Sequence, residues 1–250
     1  MSLSYSLAQH EKMPAECILV PPVFVVGSAR SGTTLMRLML TAHPNISISS
    51  EGAYIYRLRS ELLSYGDLSN PANLEALHQD ILPFLEAEKF LSPPGFGQLL
   101  DWVGQFGADT RSIITFYGTW EARVLGKREL IWWGDNAPYH VHHIPFFNSL
   151  FPNCKFILMI RDPRDVCASS KTSFTWHNFD TAIEQWERAM LDGIVAGLSL
   201  GPTRVTQVKY EDLVTAPGEQ LQNICQFLGV DYRDEMLTYY ESGAVKAISH

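Results

Sequence analysis

The stretch that most constrains this chain is PPVFVVGSARSGTTLMRLML, residues 21–40. Val23, Phe24, Val25 and Val26 form a short apolar run with β-branched residues. A turn bounded by Gly27 and Gly32 breaks it, and Leu35, Met36, Leu38, Met39 and Leu40 follow at helical spacing. A strand, a tight glycine turn and a helix in that order make a cradle for an anion, because the N–H groups of a helix N-terminus point into the turn. The two glycines stand five apart, as in the G-x-x-x-x-G-K-[ST] phosphate loop, but Thr33 replaces the lysine and Thr34 follows. In triphosphate enzymes that lysine reaches the β- and γ-phosphates, and the next hydroxyl holds Mg²⁺. The loop therefore suits a donor without those phosphates. Arg30, Ser31, Thr33 and Thr34 offer side-chain donors to a single 5′-phosphate and whatever is attached to it. The plainer alternative is a strand-to-helix turn with glycines for close packing.

A second segment, LFPNCKFILMIRDPRDVCASS, weighs against the plainer alternative. Residues 155–160 read as the clearest strand in the chain; Arg161 ends it, and Ser169 lies eight residues on, in the following helix. One guanidinium with one hydroxyl is a sensible clamp for a phosphate monoester. The bland alternative pairs Arg161 and Arg164 with Asp162 and Asp165 on the surface. Further strands are expected at 46–49, 130–133 and 204–210. Helices are expected at 54–65, 71–90, 98–105, 111–125, 140–150, from 166, at 180–197 and at 220–228, the last stopped by Gly229. Such alternation predicts an α/β fold with a parallel sheet of about four or five strands and helices on both faces. Ligands gather at the carboxyl ends of such strands, which puts Glu51, just past 46–49, in the right neighbourhood for chemistry.

With 250 residues the chain is long enough for one α/β domain. A net charge of −8 argues against nucleic-acid or anionic-membrane partners, so basic residues near a bound anion are local placements. Cys17, Cys154, Cys167 and Cys225 are scattered, with no C-x-x-C pair to suggest a disulfide framework or a metal site. No apolar run approaches a membrane span and the first twenty residues lack a signal-peptide profile, so a cytoplasmic protein is expected. Residues 1–20 are expected to form an arm, and 21–250 a single domain with a helical insertion at about 54–128.

GSARSGTTLMRLMLTAHPNI and LFPNCKFILMIRDPRDVCASS together resemble the sulfotransferases that use 3′-phosphoadenosine 5′-phosphosulfate (PAPS), within them the bacterial branch similar to tyrosylprotein sulfotransferases. The similarity runs from about residue 21 to 239. It implies a P-loop-like three-layer α/β/α fold, PAPS as donor and adenosine 3′,5′-bisphosphate (PAP) as product. The acceptor would be the hydroxyl of a small molecule or peptide. By resemblance, Arg30, Ser31, Gly32, Thr33 and Thr34 form the 5′-phosphosulfate loop, Arg161 and Ser169 bind the 3′-phosphate, and Tyr210 lies near the adenine. Glu51 aligns with the general base. In sulfuryl transfer negative charge spreads over non-bridging oxygens, so cationic donors do most of the work, with Arg30 the first candidate. A carboxylate in a partly dry cleft has its pKa raised, which suits a base; a histidine among His140, His142 and His143 is the alternative.

The chain departs from the family pattern in three places. Asn136 stands where relatives carry a lysine in G-[DE]-K-x-P, Ser173 stands where some carry an arginine, and only Gly243 and Lys246 offer a closing lid. Asn136 and the short lid keep open a catalytically silent PAPS- or PAP-binding module; a P-loop kinase is the other alternative, and the missing loop lysine and the Arg161/Ser169 pair speak against it.

Overall fold

The computed structural model describes residues 20–52, 55, 62–87, 92–172 and 179–241. The helix expected at 54–65 falls mostly outside them, as do Ser173, Gly243 and Lys246.

Five strands, β1 (Pro22–Gly27), β2 (Ile46–Ser49), β3 (Trp132–Asp135), β4 (Lys155–Ile160) and β5 (Val205–Lys209), make one sheet in the order β2-β3-β1-β4-β5. Every pairing is parallel, with Phe24 opposite Asp135 on one side of β1 and Phe156 on the other. The central β1 is buried on both faces, which is why it reads as an unbroken apolar run. Val23 and Val25 join a cluster with Met36, Met39 and Leu40 of α1 (Thr33–Ala42) and Leu221, Ile224 and Leu228 of α10 (Pro217–Leu228). Phe24 and Val26 join the opposite cluster with α4 (Thr110–Gly118), α6 (Ile144–Leu150) and α8 (Phe179–Leu200). The expected three-layer α/β/α architecture is what forms.

Helices α2 (Pro71–Ala87), α3 (Phe96–Phe106) and α5 (Trp120–Val124) lie with α4 between β2 and β3 in the chain; α7 (Pro163–Thr172) follows β4, and α9 (Tyr210–Thr215) follows β5. Asp162 caps α7: its side chain accepts from Arg164 N at 2.8 Å, and Pro163 occupies the first helical position, where its missing N–H is not needed. Gly229 ends α10 at φ +74°, with Val230 N donating to Cys225 O at 3.0 Å. The inner face of α8 is small, with Ala182, Ala189, Gly193 and Ala196 buried, and a Cβ on Gly193 would stand 2.7 Å from Leu158 of β4. That helix therefore rests close on the sheet.

Several boundaries differ from expectation: the helix placed at 140–150 is a 3-10 turn over Pro138–His143 followed by α6, and the helices placed from 166 and from 220 begin at Pro163 and Pro217. The strand placed at 130–133 is displaced to Trp132–Asp135. Ile131 is 46% exposed and the amides of Ile131 and Trp132 both donate to Asn45 O, while Gly134 continues the strand because a Cβ there would overlap the carbonyl of Val23. The helix expected at 111–125 divides at Thr119 into α4 and α5, and Tyr210 opens α9 instead of closing β5. No helix among the described residues is long and apolar enough to cross a membrane.

Candidate active site

Because all five strands point the same way, their carboxyl ends form one rim. Along it stand Ser28 to Thr34 after β1, Ser50 and Glu51 after β2, Asn136 to Tyr139 after β3, Arg161 after β4 and Tyr210 after β5.

The loop after β1 turns through two left-handed residues, Arg30 at φ +68° and Gly32 at φ +90°. At Gly32 only glycine fits: a Cβ would overlap the Tyr210 ring. Gly32 is also the N-cap of α1 and brings no side-chain cap, so the first-turn amides lack an intrahelical partner. The Arg161 guanidinium lies 4.3 Å from the centre of the Tyr210 ring, and its Nη1 donates to Arg30 O at 3.0 Å. Arg30 Nε in turn donates to Ser169 Oγ at 3.1 Å. Residues up to 180 positions apart in the chain thus meet at one place. Arg164, not Arg161, pairs with Asp162, its Nε donating to Oδ1 at 2.9 Å.

The donor set fits a phosphorylated nucleotide. Arg30 and Thr34 are exposed and Arg161 is half-buried. Among the described residues, Ser31 Oγ and Arg161 Nε are buried atoms with no hydrogen-bond partner. A donor left so costs about 1–3 kcal/mol, which a ligand oxygen would relieve. Thr33, by contrast, is buried in the first turn of α1.

Glu51 stands at the other end of the rim. It is partly buried and close enough to Tyr139 to act on it: burial first, then the Glu51 charge, push the Tyr139 phenol above its usual pKa. Asp135 ties these two segments together. Its Oδ1 accepts from Ala137 N at 2.8 Å, its carboxylate fills the space a Cβ on Gly52 would need, and Ser49 Oγ donates beside it to Gly134 O at 3.0 Å. His140 Nε2 lies 2.9 Å from Asp135 Oδ1, and His142 Nδ1 is hydrogen-bonded to Asp192 Oδ2 at 2.6 Å. Asn136 is 2% exposed, and its Oδ1 has no hydrogen-bond partner among the described residues.

Sequence reasoning passed over three residues here. Trp186 Nε1 donates to Arg161 O at 3.0 Å and Glu211 Oε1 accepts from Asp162 N at 2.9 Å, together fixing the end of β4. Trp186 sits on an amphipathic helix like any core tryptophan, and nothing in its spacing marks it. Tyr139 carried a faint signal as the aromatic closing Asp-Asn-Ala-Pro-Tyr.

Among curated proteins, protein-tyrosine sulfotransferase 2 of Gallus gallus is 28% identical over 228 residues, covering 89% of this chain and 54% of that protein. Protein-tyrosine sulfotransferase A of Caenorhabditis elegans is 28% identical over 223 residues, covering 87% and 52%. The chain spans about half the length of these relatives. Among solved structures, the sulfotransferase domain from the Synechococcus PCC 7002 olefin synthase superposes with a TM-score of 0.61 at 23% identity, over 96% of this chain and 82% of that one. The sulfotransferase domain from the curacin biosynthetic pathway gives 0.56 at 22% identity, over 92% and 82%. Both share the fold. Residues 21–234 match the model of the Sulfotransferase family, and the chain belongs to that family.

Proposed function

We propose that this protein transfers a sulfuryl group from PAPS to a hydroxyl acceptor and releases PAP. The observation that carries the reading is the meeting of Arg30, Ser169, Arg161 and Tyr210 around Gly32, which gathers the donors of the loop and those of the strand-end clamp at one place. When bound, PAPS supplies an activated sulfuryl group with a bisphosphorylated nucleotide as leaving group. Arg30, Ser31, Gly32, Thr33 and Thr34 would hold its 5′ end, Arg161 and Ser169 its 3′-phosphate, and Tyr210 the wall beside the adenine.

Arg30 and the first-turn amides of α1 set positive charge where negative charge grows, without reorganising. Glu51 takes the proton of the acceptor hydroxyl. Asp135 keeps Glu51 and Asn136 in fixed relation, and the rim positions the reactants. The names of the relatives make a tyrosyl hydroxyl the first acceptor to try. Titration calorimetry with PAP against ATP and magnesium tests the donor: PAP binds at micromolar levels and ATP does not. The reverse result would point to a kinase and overturn the reading. Transfer of label from ³⁵S-PAPS to a panel of a tyrosyl peptide, 4-nitrophenol, a sugar and an aliphatic alcohol then tests the enzyme.

One observation favours a second reading, a silent PAP-binding module. Asn136 has no charge to give the departing nucleotide, and its amide is buried. On the proposed reading Arg30 carries that duty, so Asn136→Lys changes turnover by less than about tenfold. Transfer that appears only in the Asn136→Lys variant would favour the silent module.

A further inference from the structure

β2 is an edge strand, bonded among the described strands to β3 alone, and it carries Glu51 two residues past its end. The open side of an edge strand offers unpaired backbone groups and a loose register. Here those groups are occupied by side chains. Thr41 Oγ1 accepts from Ile48 N at 3.1 Å and donates to Ile48 O at 3.2 Å, while Arg37 Nε donates to the same carbonyl at 3.1 Å. Lys127 Nζ donates to Ile46 O and, at 2.9 Å, to His43 O.

Arg37 is 5% exposed and its Nη2 lies 3.4 Å from Oε1 of Glu121, which is 1% exposed. Oε2 of Glu121 has no hydrogen-bond partner among the described residues. Such a pair is an expensive way to gain stability, because apolar residues of the same volume often do as well. What the pair provides is geometry. Arg37 and Thr41 belong to α1, the helix that opens on the phosphate loop, so one helix grips both the loop and the strand that delivers Glu51.

We infer that the buried Arg37–Glu121 pair, with Thr41, is a positioning device that fixes Glu51 relative to the phosphate loop. The inference rests on the proposed role of Glu51 as base. A misplacement of about 1 Å can lower turnover ~10²-fold while leaving binding intact, and that split is what the pair would control.

The test replaces the pair by apolar residues of similar size, Arg37→Met with Glu121→Leu, and separately makes Thr41→Val, which removes the two Thr41 bonds to Ile48 and leaves the pair, with the Arg37 bond to Ile48 O, in place. Hydrogen exchange is followed over 46–52 and, as control, over 22–27. Turnover is read with ³⁵S-PAPS and the panel acceptor sulfated fastest, and PAP affinity by calorimetry. In the pair variant, 46–52 exchanges about tenfold faster with 22–27 unchanged, turnover falls ~10²-fold, and PAP affinity stays within about twofold. Thr41→Val moves the same way by less, and serves alone if the pair variant fails to fold. Combined with Glu51→Gln, the pair variant adds little further loss, because both act through one carboxylate. Unchanged exchange and turnover, or losses that multiply fully with Glu51→Gln, overturn the inference alone. Full turnover in Glu51→Gln itself overturns the base reading, and the inference with it.

Discussion

At the scale of single residues, Gly32 and Glu51 carry the sharpest expectations. Gly32 combines a left-handed backbone with the Tyr210 ring against its missing side chain. Gly32→Ala therefore meets both strain, about 1–3 kcal/mol, and overlap with the ring that flanks Arg161. Calorimetry on this variant should show at least about tenfold weaker PAP binding together with a lower melting temperature; unchanged affinity would remove the ring from the nucleotide wall. Glu51→Gln keeps shape and loses basicity, so turnover falls ~10²-fold or more with PAP affinity unchanged. Near-normal turnover in the labelled-donor assay would take Glu51 out of the mechanism. What was readable at this scale follows a physical divide. Arg161 and Ser169 stand out because a guanidinium at a strand end and a hydroxyl on the helix that follows make a recognisable pair. Trp186 and Glu211 act through contacts that no spacing encodes.

At the scale of elements, the C-terminus of α1 has its own titration. His43 caps the helix, accepts from Asn45 N on Nδ1 at 3.1 Å, and places Nε2 at 2.9 Å from Asp231 O, an arrangement of the neutral ring with its proton on Nε2. Burial, the largest influence, lowers its pKa below 6.5, and Lys127 pushes the same way against the Asp231 carbonyl. The unfolded chain thus takes up this proton first. The contribution to stability is complete above pH 6.5 and is lost as pH falls from there through the lowered folded value, at no more than about 1.4 kcal/mol per pH unit. Urea denaturation at pH 7.0 and 5.5 should show the parent losing stability on acidification and His43→Gln losing less; equal slopes would refute it. His78, also lowered by burial, adds a background of the same sign. Elements were mostly legible because their apolar periods are clean, β4 to the residue. They failed where side-chain size outranked pattern: Gly134 reads as a turn and is a strand residue, because the neighbouring strand needs its space.

At the scale of the whole molecule, net charge and site charge have opposite signs. The chain carries −8, yet the rim gathers Arg30 and Arg161, so on the proposed reading the attraction for a bisphosphate would be local and short-ranged and depend only moderately on salt. Five strand ends contribute to that rim, and a ligand that joins them stabilises the fold as a unit. PAP at a hundredfold excess over its dissociation constant should add about 2.7 kcal/mol, a rise in melting temperature of roughly 5–10 °C, with ATP and magnesium giving none. A larger shift with ATP would reverse the donor assignment.

The seat of α8 on β4 has a consequence of its own. Gly193 lets the helix settle against Leu158, and the same helix carries Trp186, whose indole holds the carbonyl of Arg161. Contact between two layers is thereby converted into the aim of a guanidinium. On the proposed reading, a helix raised by a fraction of an ångström would blunt the grip on a 3′-phosphate with the sheet intact, so Gly193→Ala should weaken PAP binding in a chain that stays folded.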